Sequence, residues 1–136
     1  MAKKILIVDD DKEIALLLAS RLKANKYEVV VAYDAVEAVA KAFKEKPDLI
    51  LLDIKMPAGG GLSVMKNLRN AADTATTPVI VITAYSSQEI QQKVKEMGSA
   101  NFIAKPFKAE DVLSKIRKAL GEANPKGGVS RMYVVE

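Results

Sequence analysis

Leu49-Ile50-Leu51-Leu52-Asp53, continuing into Ile54-Lys55-Met56-Pro57, is the stretch on which the fold turns. Four apolar residues in a row end on a carboxylate. A short apolar run bounded by turn signals reads as a strand buried on both faces, the kind a parallel sheet contains. Asp53 then stands where that strand emerges, at its carboxyl end. In open α/β sheets the crevice outside those ends is where ligands bind. Taken alone, Asp53 reads equally as a residue that ends a strand in a turn.

Similar runs recur on either side. Ile5-Leu6-Ile7-Val8 ends on Asp9-Asp10-Asp11, Val29-Val30-Val31 follows, Val79-Ile80-Val81-Ile82 ends on Thr83, and Phe102-Ile103-Ala104 ends on Lys105-Pro106. Between them apolar residues return at helical spacing: Ile14, Leu17, Leu18 and Leu22; Val36, Val39, Ala40 and Phe43 within a helix from Ala35 to Lys46; Leu62, Met65 and Leu68; Ile90, Val94 and Met97; Val112, Leu113, Ile116 and Leu120. Asp10, three residues before Glu13, fits a capping box. Gly98 and Gly121 stand where helix C-caps are expected. Pro57 and Gly59-Gly60-Gly61 read as a loop. Strand and helix alternate five times, which predicts an α/β fold: a five-stranded parallel sheet, doubly wound, with right-handed crossovers. After Gly121, Asn124-Pro125-Lys126-Gly127-Gly128 is linker-like, and Met132-Tyr133-Val134-Val135 has strand-forming composition. Residues 1–121 are expected to form one domain. Residues 122–136 are expected to be a tail or linker rather than a separate effector domain.

Composition narrows the chemistry. The 136 residues contain no cysteine and no histidine, so disulfides, thiolate metal sites and imidazole catalysis are excluded. A metal here must be held by oxygen, which favours a hard ion such as magnesium. Hydrophobic content of 49% suffices for a core, and 28% charged residues suit a solvated surface. The net charge of +4 is spread along the chain, without the interleaved aromatics of a nucleic-acid surface. The apolar run after Lys3-Lys4 is too short for a signal core or a membrane span, so no membrane insertion and a cytoplasmic location are expected.

Four of the five strands end on a polar residue: Asp9-Asp10, Asp53, Thr83 and Lys105. In a parallel sheet these ends share one edge. Three carboxylates repel one another unless a cation sits among them. With a metal present, Asp53 can act as a carboxylate nucleophile toward a phosphoryl group, Lys105 can balance charge on its oxygens, and Thr83 can donate a hydrogen bond to it. Each residue also has an ordinary alternative. Asp10 or Asp11 can cap a helix, Thr83 suits any strand, Lys105 suits any turn, and Phe102, Met56 and Met97 suit any core.

Ile7-Val8-Asp9-Asp10, Leu52-Asp53-Ile54-Lys55-Met56-Pro57, Thr83-Ala84 and Lys105-Pro106-Phe107, in this order and spacing over Lys3 to Gly121, resemble the receiver domain of bacterial two-component response regulators, a flavodoxin-like fold. The resemblance implies that Asp53 accepts a phosphoryl group from a sensor histidine kinase or phosphotransfer protein. It implies magnesium held by Asp10, Asp53 and the Lys55 backbone carbonyl, with Asp9 acting mainly through water. Thr83 and Lys105 would contact the phosphoryl group and Ala84 would leave room for it, with Lys55 and Tyr85 flanking the site. Phe102 would be the switch aromatic, and the Lys105-Pro106 bond would be cis. The fourth helix, fifth strand and fifth helix would form the surface read by a downstream protein, with no direct nucleic-acid binding. The chain departs from the family pattern at Gly59-Gly60-Gly61, which reads as a looser loop, at Val36, and at Ala100-Asn101, which replaces an acidic pair of dimerising regulators and points to a monomer or weak dimer. Two other readings stay open: a haloacid-dehalogenase-type phosphatase using the Asp-x-Asp of Asp9-Asp10-Asp11, and an interaction module that keeps only the fold.

Overall fold

The computed structural model describes residues 2–56, 60–84, 87–99 and 101–122. Five strands, β1 (Lys4–Val8), β2 (Glu28–Ala32), β3 (Leu49–Leu52), β4 (Val79–Thr83) and β5 (Asn101–Ala104), alternate with five helices, α1 (Lys12–Ala24), α2 (Ala35–Glu45), α3 (Gly60–Arg69), α4 (Gln88–Glu96) and α5 (Ala109–Ala119). All strand pairs are parallel, in the order β2-β1-β3-β4-β5. This is the doubly wound sheet expected from the sequence.

The unbroken apolar runs have a direct cause. In β3, Leu49 and Leu51 face one core layer with α1 and α5, while Ile50 and Leu52 face the other with α2, α3 and α4. A strand covered on both faces has no solvent side to which a polar residue could be assigned. The strand order reverses between β1 and β3, because β1 lies between β2 and β3. That reversal opens a crevice at the carboxyl ends of β1 and β3, where Asp9 and Asp53 emerge.

Helix caps and helix faces depart from the sequence reading. Asp11, not Asp10, caps α1 and accepts from the Glu13 and Ile14 amides at 3.0 and 3.3 Å. In α1 the buried side is Ala15, Leu18, Ala19 and Leu22, whereas Leu17 is exposed. In α2 the buried residues are Ala38 and Ala42, and Val36, Ala40 and Phe43 face outward. A helix lying on a sheet packs closest through its small residues, so alanines won the seat that bulk alone had assigned to valine and phenylalanine. The glycine run is corrected as well. Gly60 and Gly61 are the first residues of α3 and both are buried. Gly98 and Gly121 have φ of 93° and 71° and follow α4 and α5 as expected.

The link between α3 and β4 is tied down by Arg69. Its guanidinium donates to the carbonyls of Thr74, Ala75 and Thr77 at 3.1, 3.2 and 2.8 Å, and its Nε to Met97 O at 3.1 Å. Expectations about Pro57, Gly59, Tyr85, Ala100 and the tail from 123 onward fall outside the described residues.

Candidate functional site at the carboxyl edge of the sheet

Three strand ends bring their side chains together. The Lys105 ammonium lies 3.0 Å from Asp9 Oδ2 and 3.0 Å from Asp53 Oδ2. The second oxygen of each carboxylate is held by a backbone N–H two residues on. The Asp11 amide donates to Asp9 Oδ1 and the Lys55 amide to Asp53 Oδ1, each at 2.9 Å. The chain bends after each strand, and the turn that ends the strand therefore also fixes the carboxylate. Asp9 and Asp53 are 2% and 5% exposed, so the pair is held inside the edge rather than on it, while Asp10 faces solvent.

Burial raises the Asp9 carboxyl above its ordinary value, against the lowering effect of the Asp11 amide and Lys105, with the nearby Asp53 charge adding to the rise. For Lys105 burial works in the opposite direction and would lower the ammonium. The hydrogen bonds and charges of Asp9 and Asp53 outweigh it, and its pKa is raised. The lysine therefore stays charged where it stands. The Lys105-Pro106 bond is cis, as the resemblance implied.

Asp9, Asp10 and Asp53 each offer a carboxylate oxygen, and these atoms lie within 4.8 Å of one another. Three carboxylates face one ammonium, which leaves an excess of negative charge. An all-oxygen donor set with that excess suits a hard divalent cation.

Thr83 is fully buried at the end of β4 and pairs in register with Ala104 of β5, one residue before Lys105. Ala84 follows it and is exposed. Phe102 is half-buried and packs against the α2–α3–α4 layer. The residues picked from the sequence thus fall into a close group, Asp9, Asp10, Asp53 and Lys105, with Thr83 at the end of the neighbouring strand and Phe102 further down β5. Two features were not read from the sequence. One is the direct ion pair of Asp9 with Lys105, since Asp9 was expected to serve the metal, mainly through water. The other is the amide of Lys55 as an orienting donor, and no side-chain pattern signals a backbone donor.

No described helix is long and apolar enough to cross a membrane. Residues 5–117 match the family model of the response regulator receiver domain. Among solved structures, the chain resembles the chemotaxis protein CheY4 of Vibrio cholerae at 33% identity and a TM-score of 0.82, over 87% of this chain and 98% of that one. A receiver domain protein from Methanospirillum hungatei matches at 33% identity and a TM-score of 0.84, over 89% and 95%. The beryllofluoride-activated N-terminal receiver domain of RstA from Klebsiella pneumoniae matches at 32% identity and 0.78, over 86% and 97%. With the family model covering most of the sequence and a carboxylate pair bridged by a lysine at the sheet's switch point, the chain belongs to the response regulator receiver domain family.

Proposed function

We propose that this protein accepts a phosphoryl group on Asp53 from a phosphohistidine of a sensor kinase or phosphotransfer protein and passes the signal on through its α4–β5–α5 face. The observation that carries this reading is the buried Asp53 carboxylate, oriented by the Lys55 amide and bridged to Asp9 by Lys105. In the reaction an Asp53 oxygen attacks phosphorus. The bond from phosphorus to the imidazole nitrogen breaks with its electron pair left on nitrogen, and an acyl phosphate forms. Lys105 keeps its charge and sits 3.0 Å from the attacking carboxylate, placed to follow the charge onto the phosphoryl oxygens. Asp9, Asp10, Asp53 and the Lys55 backbone carbonyl would hold magnesium, which supplies positive charge for the transferring group when bound.

Thr83 and Phe102 are the proposed switch pair. Phe102 is set for this role because it lines two clefts at once: one of about 640 Å³ toward α4, and one of about 750 Å³ toward α5. A turn of its ring changes both, which is how a shift between two populations would reach a protein partner. Residues 1–121 act as one receiver unit in the cytoplasm, as a monomer or weak dimer, with no catalytic turnover beyond gain and loss of its own phosphoryl group.

The test is incubation with a small acyl phosphate and magnesium, read by intact mass. The wild-type chain should gain one phosphoryl group, and Asp53→Asn should gain none. A hydroxylamine-resistant adduct would overturn the acyl phosphate at Asp53, and turnover that survives Asp53→Asn and is lost in Asp9→Asn would overturn the proposal in favour of a phosphatase.

A further inference from the structure

Two large side chains that stand exposed, Tyr33 after β2 and Leu16 of α1, lie at one border of the molecule: Tyr33 is 40% exposed and Leu16 is 71% exposed. The Lys12 ammonium lies 5.5 Å from the Tyr33 ring centre, so that face of α1 turns toward the β2–α2 loop, and Leu16 is one turn further along it. The border they flank is the outer edge of β2, the terminal strand of the sheet.

That edge is only half closed. Glu28 N and Ala32 O bond inward, to Lys3 O and Asp9 N, so Val29 and Val31 present their backbone groups outward. Lys41 Nζ donates to Val31 O at 2.6 Å, and the Tyr33 N–H donates to Glu37 at 2.7 Å. The Val29 N–H and C=O and the Val31 N–H have no partner among the described residues. An open strand edge bordered by apolar side chains is a surface that natural sheets cover.

The chain delivers its own cover to this place. α5 is followed by a turn in which Glu122 N bonds Arg117 O at 2.7 Å, and the Tyr27 hydroxyl donates to Glu122 Oε1 at 2.6 Å. Tyr27 immediately precedes β2, so the chain leaves α5 at the start of the open edge. The linker-like residues up to Gly128 give Val129 a reach of up to about 24 Å from Glu122. β2 itself is about 16 Å long. Val129-Ser130-Arg131-Met132-Tyr133-Val134-Val135 is rich in strand-forming residues. Handedness agrees. α5 lies on the same face as α1, and a crossover from β5 to a strand outside β2 moves in the same direction as β1–α1–β2, so it has the same right-handed sense.

We propose that residues 129–135 dock on the outer edge of β2 as a sixth parallel strand. They pair with the backbone of Val29 and Val31 and cover the exposed side chains of Leu16 and Tyr33. This proposal does not depend on phosphorylation.

Amide exchange followed by NMR decides it. The full chain is compared with a Met132→Lys/Val134→Lys variant and with a chain ending at Glu122. In the full chain the Val29 and Val31 amides should exchange about tenfold or more slowly than in either altered form, whatever the protein concentration, and the Tyr133 amide should be slowed as well. The double-lysine variant keeps the comparison decisive if the shortened chain fails to fold. Equal Val29 and Val31 rates in the full chain and the double-lysine variant would overturn the proposal. Protection that appears only with rising concentration and a dimer mass would overturn it in favour of a second copy.

Discussion

Replacing Gly61 by alanine sets two effects of opposite sign against each other. Gly61 lies in the first turn of α3, where alanine is favoured over glycine by up to about 1 kcal/mol. A Cβ there would lie 2.3 Å from both Ile54 Cα and Ile54 O, and 2.6 Å from Asp53 O. Carbon atoms in ordinary contact stand roughly 3.5–4.0 Å apart. The intruding methyl therefore needs more than about 1 Å of relief, and the atoms in its way are backbone, which cannot swing aside as a side-chain end can. Overpacking of this kind costs typically about 1–3 kcal/mol and occasionally more. Relief of this size against backbone puts the cost at the upper end of that range, so after the helix-propensity gain the collision wins by about 2 kcal/mol. The backbone that must move carries Asp53, so acyl phosphate yield should fall with stability. Gly60→Ala is the internal control. Its nearest contact is Ala35 Cβ at 3.2 Å, followed by Met56 atoms at 3.6 Å, which a shift of a few tenths of an ångström relieves. Urea denaturation of the two variants, with phosphorylation by a small acyl phosphate measured alongside, distinguishes the cases. The reasoning is refuted if Gly61→Ala unfolds at the same or higher urea concentration than wild type, or if Gly60→Ala is as costly.

Lys105→Met leaves Asp9 and Asp53 facing each other without their ammonium, a loss of about 2–4 kcal/mol at neutral pH in chelator, with the gap to wild type narrowing as acid protonates Asp9, whose carboxyl burial already raises; denaturation midpoints across pH measure it. Arg69→Met takes the guanidinium from the Ala75, Thr77 and Met97 carbonyls, while Thr74 O keeps the Thr77 amide, and should cost about 2–3 kcal/mol, with faster amide exchange between Ala71 and Thr77 but an unchanged phosphorylation yield at Asp53. Burial and the Glu122 carboxylate push the Tyr27 hydroxyl up to about 12. A group whose folded pKa is raised contributes stability below its unfolded value, near 10 for tyrosine, and loses it between about pH 10 and 12. The advantage of wild type over Tyr27→Phe, on the order of 1–2 kcal/mol at pH 8, should therefore vanish across that window, and parallel stability curves up to pH 12 would show the linkage to be absent.

Most of the fold was legible because each strand is buried on both faces, and an apolar run that ends on a polar residue marks such a strand without knowledge of its neighbours. The five strands and five helices were therefore found close to their bounds. Helix orientation was less legible. The spacing of Val36, Val39, Ala40 and Phe43 shows that they share a side of α2, but not whether that side meets the sheet. The observed packing seats Ala38 and Ala42 instead. The same ambiguity displaced Leu17, which reads as core and stands exposed on α1. Asp10 and Asp11 are chemically alike, and only the path of the backbone makes Asp11 the cap and leaves Asp10 at the rim. Gly61 reads as freedom in a loop, yet its purpose is contact, the close approach of a helix to the strand end beneath it.

The sequence by itself determined the chemistry available to this protein and the order in which it arrives. With no histidine or cysteine, and with carboxylates, a threonine and a lysine each closing an apolar run, the groups it carries to the sheet edge are carboxylates, a hydroxyl and an ammonium, and a metal held there must be held by oxygen. What only the tertiary structure decided is which of those groups meet. Asp9, Asp53 and Lys105 lie 44 and 52 residues apart along the chain, and each carboxylate comes to 3.0 Å from the lysine because β1 and β3 are neighbours at the reversal of strand order while the turn after β5 brings the lysine back across β4. Local patterns act over a few residues, whereas strand order is settled by how whole layers bury their apolar faces. Which of two similar carboxylates is buried, and which helix face is covered, are consequences of that packing.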